Sequence, residues 1–254
     1  MPMPSIAELR AETQPDWLLA RPGAEHWAGR LYMRRLSPFL TRLVLRTPLS
    51  ANGVTALMIP AGLLGALSFT FAGIWPAVLG VLLVQLQLLL DCSDGEVARW
   101  RKTPSTVGIY LDQIGHYTTE AALAAALGVR ADGGWGSIGG WTALGLLVSV
   151  LILLLKAETH LVGIALARSG GAAAKPEPDA GGGRLALRQG ARLLPFFRPF
   201  QAVEVSLLAL AAAVTDLFVE GIRATQGLLI GLAITAVIAV VGHLLAVLRS
   251  GRLR

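Results

Sequence analysis

Apolar residues fall along this chain in long runs separated by short polar or basic breaks. Six runs stand out: Ala51–Ala72, Ile74–Ala98, Val107–Val129, Ser137–Leu166, Phe200–Val219 and Thr225–Leu248. Each supplies roughly the 20 residues a helix needs to cross a bilayer. Ahead of them, Trp27, Leu31, Leu36, Phe39, Leu40 and Leu43 recur every three or four positions, with Arg30, Arg34, Arg35, Arg42 and Arg46 between them. That spacing predicts an amphipathic helix lying in the membrane interface over residues 26–50, with a break near Pro38. The predicted fold is therefore all-α: a polytopic membrane bundle of six transmembrane helices with an N-terminal interfacial amphipathic helix. Residues 1–25, with four prolines and no sustained period, are expected to form a loosely ordered arm. The six-helix domain spans 51–249. It is interrupted by a stretch at 169–198 containing GGAAAKPEPDAGGG, flexible by composition, and is followed by a basic tail at 250–254.

Composition agrees with the pattern. The 254 residues are 54% hydrophobic and 15% charged, with a mean hydropathy of +0.61. A soluble domain carries nearer a quarter charged residues. The net charge of +6 would suggest nucleic acid in a soluble protein, but here the basic residues follow the topology. Arg10 to Arg46 precede the first span, Arg99, Arg101 and Lys102 join the second and third, and six more lie between Arg168 and Arg198. Arg249, Arg252 and Arg254 end the chain, whereas the opposite loops hold only Arg130 and Arg223. This asymmetry predicts cytoplasmic termini in a multi-pass membrane protein and no nucleic-acid partner, and the Ala-, Gly- and Arg-rich composition points to the plasma membrane. The first long apolar run begins only near residue 51, so no cleavable signal peptide is expected. Cys92 is the single cysteine, which excludes an intramolecular disulfide.

Polar residues inside apolar spans are costly and mark function. The densest set lies in DCSDGEVARWRKTPSTVGIYLDQIGH, residues 91–116. Asp91 and Asp94 share a helix face at i, i+3, and Asp112 and His116 at i, i+4. Two antiparallel helices joined by a short basic loop can bring all four together near the cytoplasmic surface. Clustered carboxylates require protons or cations, and hard oxygen ligands favour Mg²⁺, Mn²⁺ or Ca²⁺. A cation beside Arg99, Arg101 and Lys102 suits a pyrophosphate.

The spacing Asp-x2-Asp-Gly-x2-Ala-Arg-x8-Gly-x3-Asp, at Asp91, Asp94, Gly95, Ala98, Arg99, Gly108 and Asp112, resembles the signature of the CDP-alcohol phosphotransferase family. Seven such positions match by chance on the order of once in 10⁹ starts. The resemblance extends to Pro48–Thr55, to the interfacial helix and to the six spans. It implies a phospholipid-synthesising transferase that passes a substituted phosphate from a CDP-linked donor to an alcohol hydroxyl and releases CMP. CDP-diacylglycerol is the first expected donor, because Lys156 offers an anion site for a phosphorylated acceptor, and a small CDP-alcohol donating to a lipid hydroxyl is the alternative; a homodimer among membrane lipids is implied as well. Carried over by position, Asp91, Asp94, Asp112 and His116 would hold Mg²⁺ or Mn²⁺. Asn52, Thr55, Gly95, Ala98, Arg99, Ser105 and Gly108 would shape the substrate pocket, with His116 and Asp112 carrying the chemistry.

One position departs: His116 stands where the family has a fourth aspartate, its general base and a metal ligand. Histidine works as a base near neutral pH but is a poorer Mg²⁺ ligand. A working base, a one-metal site with another substrate, and a nucleotide-binding protein without turnover are all compatible with it. The last would be a non-catalytic binder or carrier of a cytidine nucleotide or metal ion.

Beyond the signature, Lys156, Glu158 and His160 are read either as an internally paired cluster or as an acceptor pocket. Glu204 and Gln201 are candidates for the same cavity, and Glu120 is read either as orienting His116 or as a plain intramembrane partner. Gln85 and Gln87 suit interhelical hydrogen bonds, His26 and His243 structural or interfacial roles, and Ser105 a helix cap.

Overall fold

Ser50, Ser105 and Gln201 each mark a point where the chain turns from extended backbone into a helix. Ser50 and Ser105 cap theirs by accepting from the amides of Gly53 and Gly108, at 3.1 and 3.2 Å. The computed structural model describes residues 3–15, 26–168 and 199–249. Among these it is all-α: α1 (Ile6–Thr13), a π-helical turn (Gly29–Met33) running into α2 (Arg34–Val44), α3 (Ala51–Phe69), α4 (Ile74–Arg101), α5 (Thr106–Ala131), α6 (Gly140–Arg168), α7 (Ala202–Thr215) and α8 (Arg223–Arg249). The expected flexible stretch 169–198 and the tail 250–254 lie outside the described residues.

Helices α3, α4, α6 and α8 are long and apolar enough to cross a membrane. The third and fifth expected spans, Val107–Val129 and Phe200–Val219, differ from these. Helix α5 has the length, 26 residues or about 39 Å at 1.5 Å per residue, but Asp112, His116 and Glu120 interrupt its apolar character. Helix α7 has only 14 residues, because Asp216 ends it and turns to cap α8, accepting from the amides of Ala224 and Thr225.

Two sequence expectations at the N-terminus are corrected. The arm holds a helix, α1, closed by a reciprocal capping box between Ser5 and Glu8 and seated on the bundle through buried Leu9 and Thr13. Pro38 does not break α2. It leaves the Arg34 carbonyl without its helical donor, and the Gln14 side chain supplies one at 3.0 Å. On helix α2, Ser37 and Thr41 are buried, whereas Leu36, Phe39 and Leu43 are exposed.

Small residues bring the long helices close. A Cβ at Gly62 would collide with Thr119 Oγ1 and meet Gln87 Oε1 at 2.6 Å, which fixes α3 against α4 and α5. Gly128 and Gly145 do the same for α5 and α6, where the obstructing atoms belong to the backbone.

The two ends of the bundle are knit separately. At one end Arg130, 2% exposed, donates to the carbonyls of Phe71 and Gly73 in the α3–α4 turn, Trp135 donates to Thr70, and Gln226 to the Ala131 carbonyl. At the other, Arg101 donates to the Leu49 and Thr47 carbonyls, and His26 and Trp27 bond Glu204. The second end carries the signature.

Candidate active site

On α4, Asp91, Gly95 and Arg99 are four residues apart and form one stripe. On α5, Asp112 and His116 face that stripe. His116 Nε2 lies 3.4 Å from Asp91 Oδ1 and 3.3 Å from Asp112 Oδ1. Ligand atoms from these three side chains all fall within 4.8 Å of one another, and among the described residues they form a group able to hold a metal ion. Asp112 Oδ1 is buried and accepts no hydrogen bond of good geometry. A buried carboxylate oxygen without a donor is costly, and a hard cation is the partner that such an oxygen fits. The donor set therefore suits a divalent ion.

Asp94 stands apart from that trio. It accepts a 2.6 Å hydrogen bond from Thr55 Oγ1 on α3, so Thr55 acts on the site by fixing this carboxylate. Asn52 donates to Ser105 Oγ at 3.1 Å and lies so close to Gly108 that a Cβ there would meet Asn52 Oδ1 at 2.8 Å. Beside this pair is a cavity of about 290 Å³ lined by Ser50, Asn52, Arg101, Thr103 and Ser105. The Arg99 guanidinium covers Gly95, with its terminal nitrogens 3.1 and 3.3 Å from where a Cβ would stand. Ala98 packs on the cluster formed by Val44, Val54 and Val97.

The sequence of residues 49–248 matches the sequence model of the CDP-alcohol phosphatidyltransferases. Among curated proteins none matches the chain. The match covers most of the protein and includes every signature position. The chain belongs to the CDP-alcohol phosphatidyltransferase family.

A CDP-alcohol phosphatidyltransferase transfers a phosphate-containing group from a CDP-alcohol to an acceptor. Four apolar helices place this member among membrane proteins. Outside the signature, several expected residues have other partners. Lys156, expected to grip an anion, reaches Glu120 at 2.7 Å and lies 4.8 Å from the centre of the Tyr117 ring. Glu120 is 3% exposed, and its pairing with Lys156 is the intramembrane partnership that stood beside a role in orienting His116. Glu158 pairs with His243 at 3.1 Å, and Glu204 holds His26 and Trp27. Lys156 and Glu158 of α6 thus each pair with a neighbouring helix, and the His160 ring lies 5.8 Å from that of Tyr117. Gln87 bonds Thr119 on the neighbouring helix, as expected, and Gln85 accepts from Tyr32.

Glu96 escaped sequence reading. It is fully buried and accepts from Gln14, Ser37 and Thr41, with Arg34 at 3.6 Å. Its position inside the signature, one residue after Gly95, is the signal that could have found it.

Proposed function

We propose that this protein transfers a substituted phosphate from a CDP-linked donor, CDP-diacylglycerol first among them, to the hydroxyl of an alcohol acceptor in phospholipid synthesis. The observation that supports this is the convergence of Asp91, Asp112 and His116 within 4.8 Å around a buried carboxylate oxygen, Asp112 Oδ1, that accepts no hydrogen bond of good geometry, inside a family of CDP-alcohol transferases.

Asp91 and Asp112 would hold Mg²⁺ or Mn²⁺, with Asp94, anchored by Thr55, completing the acidic wall. The cation supplies neutralisation of the pyrophosphate charge, which is the main demand of phosphoryl transfer. His116 Nε2 reaches both carboxylates, and that one nitrogen serves either as a ligand or as a base. We assign it the proton, because the flanking carboxylates offer acceptors to the imidazolium that forms. The acceptor hydroxyl then loses its proton to His116, its oxygen bonds to the phosphorus bearing the donor's substituent, and the bond from that phosphorus to CMP breaks. Asn52, Ser105 and Gly108 shape the nucleotide side of the pocket, and Arg99 over Gly95 meets the phosphates. Lys156, tied to Glu120, orders the helix surface beyond His116, next to the expected acceptor side.

The exposed apolar face of α2 suits the membrane interface, and the basic end of the bundle, with both termini and the site, suits the cytoplasmic face of the plasma membrane. A six-span homodimer completes this reading. The test is release of CMP from CDP-diacylglycerol by the purified protein with Mg²⁺ or Mn²⁺ across a panel of alcohol acceptors. Asp91→Asn should reduce it on the order of 10³-fold. Nucleotide binding without CMP release from any donor would leave a binding protein in place of an enzyme.

A further inference from the structure

The residues around Glu96 lie on a different face of α4 from the metal group. Glu96 is about 140° around the helix from Asp91, at 100° per residue, and faces the N-terminal helices. Its carboxylate receives Gln14 Nε2 and Thr41 Oγ1, each at 2.7 Å, together with Ser37 Oγ. The same Gln14 amide reaches the Arg34 carbonyl that Pro38 leaves open. One residue before it, the Thr13 carbonyl accepts from Arg99 Nε at 2.6 Å. Helix α1 therefore meets the signature helix at two adjacent points, one on Glu96 and one on Arg99.

The consequence falls on Arg99. An arginine on a helix surface has many rotamers, and fixing one costs conformational entropy. Here Nε is held by the Thr13 carbonyl, and the two terminal nitrogens lie over Gly95, on the stripe that leads to Asp91. That fork presents planar donors of the kind that match phosphate oxygens. Glu96 holds the Thr13–Gln14 segment in place while staying out of the site itself.

We infer that Gln14 and Glu96 are positioning residues that use the Thr13 carbonyl to pre-set the Arg99 fork for the phosphates of the nucleotide donor. This rests on the functional reading above and adds to it an N-terminal element that lies outside the family match, which begins at residue 49.

The experiment uses the full-length protein in detergent and two probes: CDP binding by calorimetry in the presence of Mn²⁺, and Mn²⁺ binding alone by electron paramagnetic resonance. Gln14→Ala and Glu96→Ala should each weaken CDP about tenfold, as expected for loss of one hydrogen bond to a charged group, while Mn²⁺ affinity stays at the wild-type value. Glu96→Gln keeps an acceptor for Gln14 and Ser37 and should recover CDP affinity to within about threefold of wild type. Unchanged CDP affinity in a folded Gln14→Ala protein overturns the inference. So does parallel loss of CDP and Mn²⁺ affinity, the mark of general loosening. If Glu96→Ala fails to fold, Gln14→Ala, at the periphery of the bundle, decides alone. A wild-type protein that binds Mn²⁺ but no CDP overturns the functional reading itself, and the clamp with it.

Discussion

At the scale of single residues, His116 is where this chain departs from the signature that residues 91–112 resemble. Its Nε2 sits between Asp91 and Asp112 at nearly equal distances, so it cannot be a bystander to whatever those carboxylates hold. If it is the base, His116→Ala should lower kcat about 10²- to 10⁴-fold while the Mg²⁺ concentration for half-maximal rate stays unchanged. A rise in that concentration at modest loss of kcat would make it a ligand. The signature residues were legible because their spacing alone sets which share a helix face. Glu96 and Lys156 were harder. Whether a buried charge is a site or a satisfied pair depends on partners far away in sequence, and neither Gln14 for Glu96 nor Glu120 for Lys156 is signalled by local pattern. Asp94 shows the same limit: its i, i+3 relation to Asp91 holds, but its hydroxyl partner comes from α3.

At the scale of elements, close glycine contacts decide how the helices approach, and these make sharp expectations. A Cβ at Gly128 would meet the Trp141 carbonyl oxygen at 2.6 Å and Gly145 Cα at 3.0 Å, atoms that cannot swing aside. Gly128→Leu should therefore destabilise the bundle by about 1–3 kcal/mol or more, read as a fall in melting temperature in detergent. Gly136→Ala, where nothing stands within 4 Å, should leave it unchanged. The start of α6 depends on Asp132, which accepts from the Thr142 hydroxyl and from the amides of Gly139, Trp141 and Thr142. Those bonds, that of the Thr142 hydroxyl foremost, hold the Asp132 carboxyl below the usual carboxylate range. A lowered carboxylate stabilises the fold above its unfolded value and stops doing so as pH falls through the folded one. Acidification should thus lower the melting temperature of wild type more than that of Asp132→Asn. Helix existence was readable from hydrophobic runs; the length of α7 was not, because the apolar run continues past Asp216 while the cap it makes for α8 ends the helix.

At the scale of the whole molecule, the question is which way the bundle faces. The contacts sort the turns into two ends without reference to charge. Residues 70–73, 130–135 and 226 bond one another, and residues 47–49 with 101, and 26–27 with 204, gather at the other. Charge then follows that division, with the basic turn Arg99–Lys102 at the signature end and only Arg130 and Arg223 at the opposite one. Arg130 is moreover spent inside the protein on two carbonyls, which removes it from any count of loop charge and sharpens the asymmetry. The chain offers a direct measurement. Its one cysteine, Cys92, is buried, so Cys92→Ser gives a background on which single cysteines report sidedness. Lys102→Cys in intact cells should resist a membrane-impermeant maleimide and react once the membrane is opened, whereas Gly136→Cys and Glu220→Cys should label at once. Labelling of position 102 from outside would turn the bundle over. The acidic group would then face away from cytoplasmic CDP-linked donors, and the transferase reading would fail with the topology.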